Sequence, residues 1–228
     1  MATATPPQAP PSIESGEHRF LIRNLGWERY EVLLSLFEDG GPRINYHGGN
    51  VELMSPLVPH ERPRHQLGFV VGAVTEELNI PMDAVGSTTF KRRDAERGLE
   101  ADESYYLGDN AGMIARGRKY VDLDVDPPPD LAIEIEITNP LLDKLDIYSG
   151  IGVPEIWKYN GEALSVLLLG PDGRYAESAG SRAFPFLPMD EVARFIREYE
   201  PGQGTSWRRR FRAWVREVLL PSYLAQQG

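Results

Sequence analysis

Cysteine is absent from the 228 residues. That excludes a disulfide framework, a cysteine-ligated zinc or iron–sulfur centre and a thiol nucleophile together. Histidine is scarce, and His60 and His65 stand five apart, which is not the i, i+4 spacing of a helical zinc pair. No run approaches the ~18 apolar residues of a membrane helix. The start is rich in Pro, Ala and Thr but has no basic segment of the kind that opens a secretory leader. Gly-x-Gly-x-x-Gly and Walker patterns are missing, and neither Ser55 nor Ser104 stands in a nucleophile-elbow context. Together these absences lead us to expect a cytoplasmic protein without a membrane partner. They give no support for nucleotide-cofactor binding or serine catalysis.

Positive charge is also in deficit: 24 Lys and Arg stand against 34 Asp and Glu, a net −10. Such a surface favours solubility and argues against unspecific coating of nucleic acid, while leaving room for a local basic groove. With 41% hydrophobic and 10% aromatic residues the chain has the composition of a folded protein. Its length corresponds to roughly 1.5 average domains, so one domain with additions is expected. We expect a disordered Pro-rich tail over 1–18, a main domain over 19–200, and an Arg-rich amphipathic helix over 205–220.

Apolar spacing predicts helices over 27–37, from about 60 to 78 with Pro63 in the first turn, over 139–150, over 188–198 and over 205–220, where Pro221 ends the chain's last helix. Strands are expected over 43–46 and 51–54, and over 85–91 with 103–107 as its returning partner. Further strands are expected over 131–137, 155–159 and 164–169, the last two joined through Asn160-Gly161. Helices and hairpins alternate along the chain. The fold class expected is therefore α/β (α+β), with a mixed central sheet flanked by helices.

The segment 131–137 carries the chemistry. Alternation puts Leu131, Ile133, Ile135 and Ile137 on one face and Ala132, Glu134 and Glu136 on the other. Unpaired buried carboxylates are very costly, so either that face is wet or its carboxylates hold a cation. Asp102, at the start of the expected returning strand, would come close to Glu134. Two carboxylates with waters suit a hard divalent ion. Lys144, at the margin of the following helix's apolar stripe, either reaches back over the sheet or pairs in solvent with Asp143 or Asp146.

The order Glu52-Leu-Met-Ser-Pro, His60, Asp102-Glu-Ser, Pro129-Asp-Leu-Ala-Ile-Glu134, Asp143-Lys144, Tyr148 and Gly152-Val-Pro-Glu-Ile-Trp157 resembles the Uma-two family. These are bacterial restriction-endonuclease-like proteins, formerly a domain of unknown function, with a fold similar to the PD-(D/E)XK nucleases. The resemblance covers roughly 19–196. It implies metal ligation by Asp102 and Glu134, with Glu52 and Glu136 as further candidate ligands and His60 as an accessory polar residue. Glu136 stands where the signature lysine would be, and the resemblance assigns that lysine's place to Lys144 on the next helix. It further implies Mg2+ or Mn2+ as cofactor and nucleic acid, DNA foremost, as substrate. The reaction would be endonucleolytic phosphodiester hydrolysis, with Asp102, Glu134 and Lys144 catalytic.

For the nucleic-acid contacts, Lys91, Arg92, Arg93, Arg118 and Lys119 are the expected residues, and pairing of two sites implies a homodimer. The departure at Glu136 keeps an alternative open, a decayed nuclease module that acts as a DNA-binding or structural homodimer. A third reading is an adaptor that uses the aromatic terminal helix.

Overall fold

The computed structural model describes residues 18–37 and 40–227. The tail expected over 1–18 lies outside the described residues except for His18. In chain order the elements are β1 (His18–Ile22), α1 (Trp27–Leu36), β2 (Arg43–His47), β3 (Asn50–Ser55), α2 (Val58–Glu77), β4 (Met82–Ala84), β5 (Thr89–Arg92), β6 (Arg97–Glu100) and β7 (Glu103–Leu107). There follow β8 (Val121–Asp122), β9 (Leu131–Ile135), α3 (Lys144–Ile151), β10 (Glu155–Tyr159), β11 (Leu164–Leu169), β12 (Tyr175–Ser178), α4 (Met189–Arg197), α5 (Gly204–Trp214), a π-helical stretch (Val215–Leu219) and α6 (Leu220–Gln227).

The fold is mixed α/β, as the sequence pattern predicts, but the strands form two six-stranded sheets. One has the order β1-β3-β2-β6-β5-β8 and the other β12-β11-β10-β9-β7-β4. Each is mixed, with one parallel pair: β5 with β8, and β9 with β10 across α3. The hairpin expected between 85–91 and 103–107 does not form. β5 turns back onto β6, with Lys91 opposite Gly98, and β7 crosses into the second sheet between β4 and β9. Only Ala101 and Asp102 separate β6 from β7, so the chain changes sheets at Asp102.

β9 is buried along its whole length and is one of the two central strands of its sheet. Leu131, Ile133 and Ile135 pack against Leu67, Val70, Val71 and Val74 of α2. On the opposite face Ala132 joins Ile147, Tyr148 and Ile151 of α3 and Phe90 and Leu99 of the first sheet. The face that bears Glu134 is therefore dry, which removes the wet-face alternative.

Other differences have local causes. β9 stops at Ile135, not 137. α3 begins at Lys144 instead of 139, because Asp143 supplies the N-cap by accepting the Asp146 amide at 3.1 Å. α2 begins at Val58 with Pro59 in its first turn, which leaves Pro63 inside the helix. Pro221 does not end the last helix. It falls at the start of α6, just beyond the π-helical stretch, and prolines are tolerated in a first turn. Trp207, Phe211, Val215 and Leu219 bury their stripe in the same cluster as β9 and α2, so the terminal helix docks on its own chain.

Candidate active site

Asp102 and Glu134 meet in the gap between the two sheets. The short link from β6 to β7 has room for only two residues and turns the Asp102 carboxylate inward, fully buried. Its Oδ2 accepts the backbone N–H of Ile135, the residue after Glu134, at 2.5 Å, and lies 3.1 Å from His60 Nε2. Its Oδ1 abuts the guanidinium of Arg43, which comes from the start of β2. Arg64, one turn beyond His60 on α2, donates its Nε to the Asp102 carbonyl at 2.9 Å.

Glu134 is 2% exposed and is held by one helix face. Lys144 opens α3 and donates Nζ to Glu134 Oε2 at 2.5 Å, and Tyr148, one turn on, donates its hydroxyl to Oε1. The i, i+4 spacing puts both donors on the same side of α3. Burial raises the Tyr148 hydroxyl well above its ordinary pKa and the Glu134 charge adds to the rise, so Tyr148 remains a proton donor. Arg43 also feels the charge of Glu134, although burial pulls its guanidinium below the usual value. The gap thus holds two carboxylates and two cations, and burial of such charges is tolerable only with this pairing.

Of the remaining expected site residues, His60 joins this group and the other two acids stand apart. Glu52 Oε1 pairs with Arg19, and its Oε2 accepts the amides of Leu141 and Leu142, pinning the loop before α3. Glu136 lies just past β9 and pairs with Lys158 at 3.4 Å. Four of the five expected nucleic-acid contacts have carboxylate partners: Lys91 with Glu31 (2.8 Å), Arg92 with Asp94 (3.0 Å), Arg93 with Glu28 (2.6 Å), and Arg118 with Asp126. Lys119 is exposed and lines a cleft of about 720 Å³ next to the site, together with Arg43, Glu61, Arg64 and Glu100.

The sequence reading missed Arg43 and Arg64 at the site, and it gave Tyr148 no role there. For Tyr148 the signal was present, since it stands four residues after Lys144. For the arginines there was none, because their partner lies on another element.

Asp102 and Glu134 are the two carboxylates that would hold an ion of the magnesium type, and each of their oxygens faces a protein donor. Asp102 Oδ1 is buried and lies against the Arg43 guanidinium. Mg2+ takes one or two carboxylates and keeps several waters, and Asp102 and Glu134 supply that number. Among the described residues no three His, Asp or Glu side chains gather to hold a metal ion, so a fully protein-ligated ion does not fit. In this arrangement the Arg43 guanidinium takes the charge-compensating place beside Asp102.

The model of the Uma2 (Uma-two) family, described as "Putative restriction endonuclease", matches residues 27–194, and the chain belongs to this family. Among solved structures, a chain from Anabaena variabilis ATCC 29413 described as a "putative nuclease belonging to DUF820" is similar, with 14% identity and a TM-score of 0.46. The similarity covers 68% of this chain and 92% of that one. No curated protein matches the chain. Among the described residues no helix is long and apolar enough to cross a membrane.

Proposed function

We propose that this protein is a metal-dependent nuclease that hydrolyses nucleic-acid phosphodiester bonds at the Asp102–Glu134–Lys144 site. The observation that carries this reading is the convergence on one dry gap. Asp102 is tied to the amide that follows Glu134, while Lys144 and Tyr148 hold Glu134 from a single helix face.

Asp102 and Glu134 would hold Mg2+ or Mn2+, which supplies positive charge at the scissile phosphate and acidifies a water. Lys144, already aimed into the gap, stabilises the negative charge that grows on the phosphate as the water oxygen attacks phosphorus. Tyr148 fixes the orientation of Glu134. His60 Nε2, oriented by Asp102, is placed to move a proton at the edge of the site. One water is consumed, one P–O bond breaks, and the leaving hydroxyl takes up a proton. The signature lysine's role falls to Lys144, so Glu136 does not by itself mark a decayed site.

The test is cleavage of plasmid and of single-stranded DNA with Mg2+ or Mn2+ by wild type, Asp102→Asn and Glu134→Gln, with circular dichroism to show that each is folded. Loss of about a hundredfold or more in both variants supports the site. Equal cleavage by all three overturns it, and nucleic-acid binding with no cleavage by wild type favours the decayed module.

A further inference from the structure

α2 carries a second polar group beyond the one at Asp102. His60 meets Asp102, and Arg62, His65 and Gln66 follow it within two helical turns. These three residues line a pocket of about 590 Å³, together with Arg208 and the first two residues of α5, Gly204 and Thr205. Glu61 lines both this pocket and the cleft beside Asp102, so the two open spaces adjoin at one side chain.

Each part of this lining suits an anion. Arg62 and Arg208 are exposed, and neither has a carboxylate partner among the described residues. Arg208 stands over the Phe69 ring at 5.0 Å, an arrangement that leaves the in-plane N–H groups of a guanidinium free for an acceptor. The one acid in the lining, Glu61, is held by Arg64 at 2.8 Å and faces Arg43 at 3.5 Å, so it is already neutralised from outside the pocket. α5 starts here with no acid in its first turn and no side-chain cap, and no described residue accepts the amides of Gly204, Thr205 and Ser206. A helix N-terminus in that state favours negative charge. Gln66 is an independent sign of a ligand. It is 6% exposed, and its side-chain amide makes no hydrogen bond with any described residue. Such a group is costly to leave unpaired, and the pocket is where its partner would sit.

We infer that this pocket holds a backbone phosphate of the nucleic-acid strand, outside the one that reacts at Asp102 and Glu134. Arg62 and Arg208 supply its charge partners, and the first amides of α5 and the NH2 group of Gln66 supply hydrogen bonds. This rests on the nuclease reading above and names a contact by which a chain of net charge −10 grips a polyanion. Lys91, Arg92, Arg93 and Arg118 already face carboxylates, whereas the two pocket arginines do not. A phosphate fixed here sets the position of the strand along α2, the helix whose His60 meets Asp102.

The experiment is fluorescence anisotropy of a labelled DNA oligonucleotide, single-stranded and as a duplex, in EDTA over a range of salt. Wild type is compared with Arg62→Gln, Arg208→Gln and Gln66→Leu, and circular dichroism shows that each is folded. Arg209→Gln, an equal loss of charge outside the pocket lining, is the control. Arg62→Gln and Arg208→Gln should each weaken binding about tenfold, the range for a hydrogen bond to a charged group. Each should also lower the slope of log affinity against log salt by up to about 0.9, the value of one phosphate contact. Gln66→Leu should weaken binding about threefold or more and leave the slope unchanged, since it removes a donor without a charge. Arg209→Gln should stay within about twofold of wild type. Losses in Arg209→Gln equal to those of the pocket variants overturn the inference, and so does binding indifferent to Gln66→Leu, which reduces the pocket to surface charge. Inorganic phosphate, followed by broadening of its 31P resonance, is the second probe. Broadening that Arg62→Gln abolishes, with oligonucleotide binding unaffected by that substitution, overturns the strand assignment in favour of free phosphate. If Glu134→Gln abolishes cleavage while the pocket variants bind like wild type, the pocket assignment fails and the nuclease reading stands. If the pocket variants lose binding but Glu134→Gln cleaves normally, the nuclease reading fails and the pocket remains a site for nucleic-acid phosphate.

Discussion

Lys144 reaches Glu134 from the first residue of the helix that follows β9, and both side chains are almost wholly buried. Neither charge is tolerable there alone. Removal of one member of a buried pair costs about 3–5 kcal/mol, because the other is left uncompensated. Lys144→Met should therefore lower unfolding stability by about that amount, and Glu134→Gln with Lys144→Met should recover a substantial part of it. Urea denaturation of the two single variants and the double variant measures this. Strict additivity of the two losses would show that the pair is not coupled.

Glu100 gives the fold a dependence on pH in the neutral range. Burial pushes its carboxyl up to about 7, against the hydrogen bond from Thr89 and the charge of Arg43. Folded Glu100 keeps a proton that the unfolded chain releases at about 4.5. Its contribution is full below that value, declines as pH rises toward 7, and is lost above, a change of about 3 kcal/mol. Glu100→Gln should remove this decline and exceed wild type in stability at pH 8. Burial raises Glu103 as well, so the informative quantity is the wild-type-minus-variant difference in denaturation free energy between pH 5 and 8. A difference that is flat over that span counts against a raised Glu100.

The period-two run at 131–137 announced a strand with acids on one side, legible because alternation is a local property, but left open whether that side is wet; its burial comes from α3 and the first sheet. The meeting of Asp102 with Glu134 was legible only in part. Their closeness followed from a hairpin that does not exist, and the real cause is a chain that passes between sheets at Asp102. Strand pairing depends on partners distant in sequence, and 85–91 and 97–107 could be divided in more than one way. Arg43 shows the same limit, since nothing near it tells which carboxylate it will meet. Glu155 is a further case. The Gly-Val-Pro-Glu-Ile-Trp segment stood out, but not what its acid does: Glu155 gathers Trp157 Nε1, the Ser181 hydroxyl and the amides of Arg182 and Ala183, which anchors a loop far along the chain.

Trp207 separates the adaptor reading from a structural one. Its ring is 1% exposed, its Nε1 donates to the Phe195 carbonyl at 2.7 Å, and it packs on Phe69, Tyr199 and Phe211. Arg212 and Arg216 reach Glu77 of α2 from the same terminal helix. A helix docked in this way belongs to its own core, so truncation of the indole should act on folding and not on assembly. Trp207→Ala is expected to cost about 3–5 kcal/mol, the range for large-to-small changes in a packed core. Sedimentation should show the same oligomeric state for the folded fraction as for wild type. Arg209→Glu, on the exposed side of α5, serves as the comparison and should stay within about 0.5 kcal/mol of wild type. An unchanged melting temperature in Trp207→Ala together with a smaller assembly would assign the helix to a partner instead of to the core.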